Sequence, residues 1–491
     1  MRRWKSFAAV VALMMIVAAC GGGGDTSDTT TGGDTDTTEG STDTTQVSTD
    51  TTADSGASGD KVQIRWYIGL GAGGQPEQRQ VQEDIAAAFN ESQDEIELVL
   101  EIVENDVAYD TLATQIASGN APDLIGPVGR DGSNSFAGLY LDLEPLIEST
   151  GVDTSMWEGA AVDNQREQDG TLVGLPFASF PSTMFYNTEL FDEAGLPYPP
   201  ANYGEPYGVG TEWEGTWDFA KVEEIAKILT VDANGVDATD PAFDNDNTVQ
   251  WGFVWQWTDR LFQQGTSWGA GSPLADDGTA DIPQTWEDEW AWYQNAVWES
   301  GFAPSQTEMD GPLGGNAFQT GTVAMAPTHL WYTCCIRDDE NGIVGDFWNL
   351  AAMPEHNGTI TANLHADTFR ILASTEHPEE AFTVMYYLLT DAALDLLSAY
   401  GAAPADPSLT EAFIAGLDER YPQGVNWDVI LASAAYADSP SHEAFVPGWD
   451  EYKLAMADLQ SGLLSDPALD LAGEIAELEA NLTTVFQENA E

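Results

Sequence analysis

From Lys61 onward, β-rich runs and helix-period runs take turns, and this alternation restricts the fold more than any other feature of the chain. Val62–Ile68 alternates and is rich in β-formers, which reads as a first strand. After a glycine loop, Val81, Ile85, Ala88 and Phe89 recur at helical spacing. Ile96–Leu100 reads as a second strand. Tyr109, Leu112 and Ile116 mark a second helix that stops at Gly119, and Pro122–Ile125 opens a third strand. Such strand–helix–strand units build a parallel sheet with helices on both faces. Ligands of α/β sheets sit beyond the carboxyl ends of the strands. The loops Gly69–Gln75 and Gly126–Gly132 are therefore the first places to look for a site.

Later helices are equally legible. Val222, Ile225 and Leu229 follow a Thr216 cap, and Trp286, Trp290, Tyr293 and Val297 share one face of a helix ended by Ser300-Gly301. Near the C-terminus Leu471, Ile475, Leu478, Leu482 and Val485 form an apolar stripe expected to dock on the body. The 491 residues suffice for two large lobes or about three domains, each with its own core. No fixed-period repeat is present, and no run of eighteen apolar residues that would span a membrane.

The first sixty residues have a different composition. Arg2, Arg3 and Lys5 precede an apolar stretch, Phe7–Ala19, of signal-peptide length, and Val17-Ala18-Ala19-Cys20 resembles a bacterial lipobox. Residues 1–19 thus read as a lipoprotein signal peptide, with Cys20 as the lipidated mature N-terminus. Residues 20–60 are nearly all Gly, Thr, Asp and Ser, a composition that cannot offset its ordering entropy and reads as a disordered tether. The body is then extracytoplasmic, held to the outer face of the cell membrane.

Charge narrows the partners. With 82 acidic against 15 basic side chains the formal net charge is −67, which repels phosphate backbones and anionic headgroups and excludes a nucleic-acid partner. Three cysteines in so long a chain build no disulfide framework.

Four groups of segments carry a family likeness: YDTLATQIASGNAPDL at 109–124 with GLYLDLEPLI at 138–147; GLPFASFPSTMFYNTELFDEAGLPYPP at 174–200, followed by TWDF and AKILTVDANG; FQTGTVAMA at 318–326; and TEHPEEAF at 375–382. In this order the chain resembles the extracellular solute-binding proteins of bacterial ABC importers, in the sugar-binding group that includes maltose-binding protein. The likeness runs from about residue 61 to the C-terminus. It implies a two-lobed periplasmic-binding-protein-like α/β fold with hinge crossovers, closing on ligand. By resemblance the crossovers fall within Phe177–Tyr186 and near Asn363–Thr368. Lobe 1 would hold 61–181 plus a return segment from about 366. Lobe 2 would hold 182–365 plus C-terminal helices.

Candidate site residues follow from both readings. Gly69–Gly74 satisfies G-x-G-x-x-G, a nucleotide pattern, but export and a helix start delayed by Pro76 argue against that use. It is either a plain loop or one that brings backbone amides to another ligand, with Gln75 and Glu77 nearby. Twelve of the seventeen tryptophans lie between Trp213 and Trp348, and indole faces stack on the C–H faces of sugar rings. Trp286 and Trp290 read as core; Trp251, Trp255 and Trp257 alternate, so one strand face could bury all three. Trp268, Trp331-Tyr332 and Trp449 are the better ligand candidates, with Trp257 behind them. The resemblance favours Trp331 and Trp449. Arg130-Asp131 follows the third strand, near where the family places an acid and an arginine, though in reversed order. Both can bond hydroxyls strongly, or simply pair with each other. His365 and Asp367 sit at the second crossover, to reach ligand or brace the hinge. Phe180 stands where maltose-binding protein has a sugar-contacting acid, which points to a different sugar.

Catalytic and metal patterns are weak. Two nearby carboxylates mean nothing among 82 acids, and neither H-E-x-x-H nor G-x-S-x-G occurs. Asp244–Asn247 lacks the glycine and glutamate of an EF-hand and reads as a polar turn. Cys334-Cys335 either form a vicinal disulfide or stay reduced. No metal and no cofactor is expected. The reading is a monomeric, lipid-anchored receptor that captures a mono- or oligosaccharide and hands it to an ABC permease. The rivals are a receptor for a peptide or polyamine, a secreted polysaccharide-active enzyme, and a purely structural surface lipoprotein.

Overall fold

The computed structural model describes residues 61–490, apart from 72, 158, 168, 259, 335 and 337–344. The chain divides into Met1–Ala57 and Ser58–Glu491, and everything described lies in the second unit. The signal peptide, Cys20, the tether and Cys335 lie outside the described residues. No helix among the described residues is long and apolar enough to cross a membrane.

The first strands are β1 (Val62–Ile68), β2 (Ile96–Ile102), β3 (Leu124–Val128), β4 (Ala178–Asn187), β5 (Val231–Asp232) and β6 (Thr248–Phe253). They are followed by β7 (Val323–His329), β8 (Trp348–Ala351), β9 (Glu355–His356), β10 (Thr359–Ile360), β11 (Leu364–Ile371) and β12 (Ala403–Pro404). One hydrogen-bonded path runs β2-β1-β3-β11-β4-β7-β6-β5, with β8 and β12 also paired to β4; β9 and β10 form a separate hairpin. β1 lies parallel to β2 from Val62↔Ile96 to Ile68↔Ile102, and parallel to β3 through Trp66↔Leu124. The intervening helices, Pro76–Ser92 and Asn105–Ala117, are the crossovers that parallel pairing requires. The first of them begins at Pro76 itself: proline has no N–H to leave unsatisfied in a first turn, so it starts the helix and does not delay it.

β4 and β11 join the two halves of the sheet. Residues 178–181 of β4 pair with 364–367 of β11, whereas 182–186 of the same strand pair with 325–329 of β7. β11 in turn uses 368–371 to pair with β3. Each strand therefore changes partners midway.

Cores form on both sides. Ile64, Trp66, Ile68, Leu98 and Phe369 are buried together with the apolar faces of the helices Pro378–Leu389 and Ala393–Tyr400. A second cluster packs Phe253, Trp255, Trp286, Trp290 and Tyr293 against the C-terminal helices Trp449–Ser465 and Leu471–Glu488. The apolar stripe of the last helix is docked there as expected, through Leu471, Ile475, Leu478, Leu482 and Phe486. Helix Phe219–Leu229 is capped by Asp218 and not by Thr216: the Asp218 carboxylate accepts the Lys221 amide at 2.8 Å. β6 stops at Phe253, so only Trp251 and Trp255 are buried while Trp257 escapes the core.

Candidate ligand-binding site

Both loops beyond the carboxyl ends of β1 and β3 line a cavity of about 600 Å³ where the crossover strands change partners. From the first half come Leu70, Gly73 and Gln75, then Asn105 and Tyr109, then Gly129, Asp131 and Gly132. The crossover contributes Phe180, His365 and Asp367, and the second half Trp257, Arg260, Gln263 and Trp331; Tyr400 and Glu443 complete the wall.

The loop after β1 can hold this shape only with glycine. Gly73 has φ +88°, and a Cβ there would lie 2.1 Å from Ile68 Cγ2. The Gln78 side-chain oxygen Oε1 ties the loop to the following helix, accepting the N–H of Gly73 at 3.0 Å and of Gln75 at 3.3 Å. At Gly132 an added Cβ would meet the Tyr109 hydroxyl at 2.8 Å, so glycine lets the short helix Arg130–Asn134 approach the helix behind it.

Asp131 is the best-held polar group. Arg260 donates to its Oδ2, Lys453 Nζ lies 3.0 Å from Oδ1, and the Trp449 indole N–H donates to its backbone oxygen at 3.0 Å and to Oδ1 at 3.2 Å. Arg130 turns away and donates to the Asn164 carbonyl at 2.6 Å, so Arg130 and Asp131 do not pair with each other. Burial, assisted by the charge of Glu443, pushes the Asp367 carboxyl up to about 7.

Trp331 stacks on His329 at 4.1 Å and meets the edges of His365 at 4.6 Å and Phe180 at 5.6 Å. Trp257 is 37% exposed, with φ 53°, its indole N–H on the Gly315 carbonyl and its ring against Tyr332.

The other aromatic candidates are elsewhere. Tyr332 is fully buried behind Trp257, with its hydroxyl on Asn316. Trp268 packs between Phe219, Trp292 and His356 in the second core. Trp449 is buried and reaches the site only through Asp131. Glu77 belongs to the first turn of helix Pro76–Ser92, and its side chain lies outside the described residues.

From His365 and Glu443 on the wall inward, polar side chains form a buried chain. His442 Nδ1 lies 2.7 Å from Asp438 Oδ2, His442 Nε2 lies 2.9 Å from His365 Nε2, and His365 Nδ1 lies 2.9 Å from Glu443 Oε1. Donor atoms of His365, His442 and Glu443 come within 4.8 Å of one another. However, His365 turns one ring nitrogen to Glu443 and the other to His442, so its ring stands between them. The three do not converge on a point as metal ligands must. Burial holds His365 well below the ordinary histidine range, with His442 adding to the effect, and raises Glu443. For His442 burial acts downward, but the charge and hydrogen bond of Asp438 outweigh it and the net shift is upward. Asp438 is pushed up by burial, yet His442 and backbone hydrogen bonds bring it to about 2.

Sequence reasoning does not single out Arg260, Gln263, Asn105, Tyr400 or Glu443. For Arg260 a signal exists: it is one of 15 basic residues, the same scarcity that draws attention to Arg130.

Residues 72–394 match the family model described as "Bacterial extracellular solute-binding protein". The chain belongs to this family. Over 126 residues it is 32% identical to a putative binding protein of Brucella abortus, a match spanning 25% of this chain and 29% of that relative. Among solved structures, an ABC substrate-binding protein of Listeria monocytogenes in complex with cycloalternan superposes with a TM-score of 0.66 at 19% identity, covering 87% of this chain and 99% of the other. The GacH receptor of Streptomyces glaucescens, solved unliganded and with acarbose, gives 0.64 at 14%, covering 87% and 99%. Maltose-bound MalE3 of T. maritima gives 0.63 at 16%, covering 86% and 99%. This solute-binding protein thus has the two-lobed periplasmic-binding-protein fold, and its family and structural neighbours are binding proteins, not enzymes.

Proposed function

We propose that this solute-binding protein is the sugar-capturing receptor of an ABC importer. It acts as a monomer, is held at the outer face of the membrane through lipidated Cys20, and delivers its cargo to the permease. The observation that carries the reading is the make-up of the cavity. Two indoles, Trp257 and Trp331, stand on the wall from the second half, and hydroxyl-bonding groups, Gln75, Asp131 and Asp367, stand on the wall from the first half and the crossover. Flat apolar faces opposed to polar groups suit a ring with C–H faces and a hydroxyl rim. Its lobes would divide as 61–181 with a return from about 366, and 182–365 with the C-terminal helices. Only a ligand that touches both lobes favours closure, because a solute bound equally by open and closed forms shifts nothing.

A polyamine has one observation in its favour, the three carboxyls of Asp131, Asp367 and Glu443 around the cavity. Arg260 and Lys453 already neutralise the first, and burial holds the other two toward their protonated forms. The carbohydrate reading therefore stands ahead.

The test is a thermal-shift screen against mono- and oligosaccharides, with peptides and polyamines as controls and glycoside turnover assayed in parallel. A ligand at a hundred times its Kd stabilises the fold by about 2.7 kcal/mol. A shift confined to one sugar class is expected. A shift with a peptide or polyamine and none with sugars would overturn the carbohydrate reading, and sugar turnover would overturn the receptor reading.

A further inference from the structure

The ligand cavity ends differently on its two sides. Toward Tyr109 and Arg260 it adjoins a second cavity of about 520 Å³, and these two residues line both spaces. Side chains that bridge the halves of the molecule stand between the two cavities. Asp131, from the short helix after β3, lines only the first; Lys453, from helix Trp449–Ser465 of the second half, lines only the second. Lys453 Nζ lies 3.0 Å from Asp131 Oδ1, and Arg260 donates to Oδ2. Lys453 Nζ also stands 5.5 Å from the centre of the Tyr109 ring, and alongside it Ser135 donates to Asp450 at 2.7 Å, again from one half to the other. Toward Gln75 the ligand cavity adjoins a third, of about 650 Å³, and shares Gly74, Gln75 and Asn105 with it. Pro76, Arg79 and Glu104 complete that lining, all of it from the first half, and the Arg79–Glu104 pair joins neighbouring elements of that same half. Among the described lining residues, no pair from the two halves closes this side.

We propose that the Asp131–Arg260–Lys453 bridge is a bar that ends the ligand cavity, so that the protein reads a sugar by one terminus and leaves the other terminus free to extend. The proposal rests on the capture reading and adds to it which part of the ligand is recognised. A chain growing past Gln75 and Asn105 enters the third cavity without parting any contact between the halves. A chain growing past Asp131 must separate one carboxylate from two cations and from the Trp449 indole N–H at 3.2 Å. The Asp131 and Lys453 side chains are only 12% and 21% exposed, so water replaces these charge-assisted contacts poorly once they are broken. A neutral sugar hydroxyl is a weaker partner for either charge than the opposite charge it would displace. The bar therefore selects through what a wrongly extended ligand would have to break, and Arg260 and Lys453 act as specificity-determining residues.

The bar itself is tested without ligand. In the unliganded full chain, a double-mutant cycle of Asp131→Asn and Lys453→Met on the unfolding constant should give a coupling of about fivefold or more. Absence of coupling would overturn the bar, whether or not any sugar binds. Its effect on recognition is tested with the sugar identified by screening and two derivatives of it, each carrying one added ring, at opposite termini. One derivative should bind within about threefold of the parent and the other about a hundredfold more weakly. Lys453→Met or Arg260→Gln should restore about tenfold of that loss, measured against the parent sugar in the same variant. Equal binding of the two derivatives by the wild type would overturn the inference, and so would a ratio that neither variant changes. Both outcomes leave the capture reading intact, since the parent sugar still binds. Failure of every sugar to bind would remove the capture reading, and the cycle would still decide the bar. Where Asp131→Asn fails to fold, the ratio of the two derivatives in Lys453→Met decides.

Discussion

Tryptophan has two fates in this molecule. In the second core, Trp286 and Trp290 are fully buried, and each indole N–H is satisfied by a carbonyl, of Gly269 at 3.0 Å and of Leu261 at 2.9 Å. On the cavity wall from the second half, Trp257 and Trp331 keep part of their surface exposed. One environment uses the indole for cohesion and the other leaves it available to a ligand. Stability and affinity should therefore separate cleanly between the two sets.

The largest effect is expected in the core. Trp290→Ala leaves a cavity in a packed interior and removes the indole hydrogen bond to the Leu261 carbonyl, and should cost about 3–5 kcal/mol of stability. Urea unfolding measures it, and a loss below about 1 kcal/mol would break the distinction from the core side. Trp331→Ala should reverse the pattern. Sugar affinity should fall about tenfold to a hundredfold by calorimetry, while stability drops by only about 1–2 kcal/mol, because Trp331 is only half-buried and its aromatic contacts are with His329, His365 and Phe180 alone on one side of the cavity wall. Undiminished sugar affinity in this variant would break the comparison from the cavity side.

What could be read from sequence divides along similar lines. Strand–helix alternation located the two loops of the cavity because the strand-end rule depends only on local pattern and direction. Trp286 and Trp290 were legible as core for the same reason, helical spacing. Trp257 was not, because alternation says nothing about where a strand stops, and β6 ends four residues earlier. Trp268 follows a short helix and looked free, yet Phe219 and His356 close over it from distant parts of the chain. The buried polar chain was beyond reach: His442 and His365 are 77 residues apart and meet where Ala362 and Ala437 form a bridge between their segments. Local rules found elements; long-range pairing placed the polar chemistry.

Glu289 sharpens the core side of the comparison through pH. It is fully buried behind Trp255, whose indole N–H donates to it at 3.0 Å, and burial pushes its carboxyl up to about 8. Between pH 4.5 and 8 the unfolded chain releases this proton while the folded chain keeps it. The unfolded state then binds fewer protons, and stability falls as pH rises through that window. Glu289→Gln keeps the shape and removes the titration, so its stability should match wild type near pH 4.5 and exceed it progressively toward pH 8. Parallel profiles for the two proteins in thermal unfolding would show that Glu289 is ionised in the fold.

The smallest stability effect belongs to Trp257, and it separates backbone from side chain. A bulky residue at φ 53° is a conformational outlier that costs about 1–3 kcal/mol, and only what its side chain touches offsets that cost. The indole makes one hydrogen bond to Gly315 and one edge contact with Tyr332. Trp257→Gly loses both contacts but relieves the backbone, so its stability should lie within about 1 kcal/mol of wild type. Trp257→Ala loses the same contacts and keeps the strain, and should be the less stable of the two. Both should lose sugar affinity about tenfold, since each removes the same face from the cavity. Equal affinity losses with unequal stabilities would show that the left-handed backbone serves to aim the indole out of the core. If glycine and alanine proved equally stable, the backbone conformation would carry no cost, and the indole's exposure would follow from the end of β6 alone.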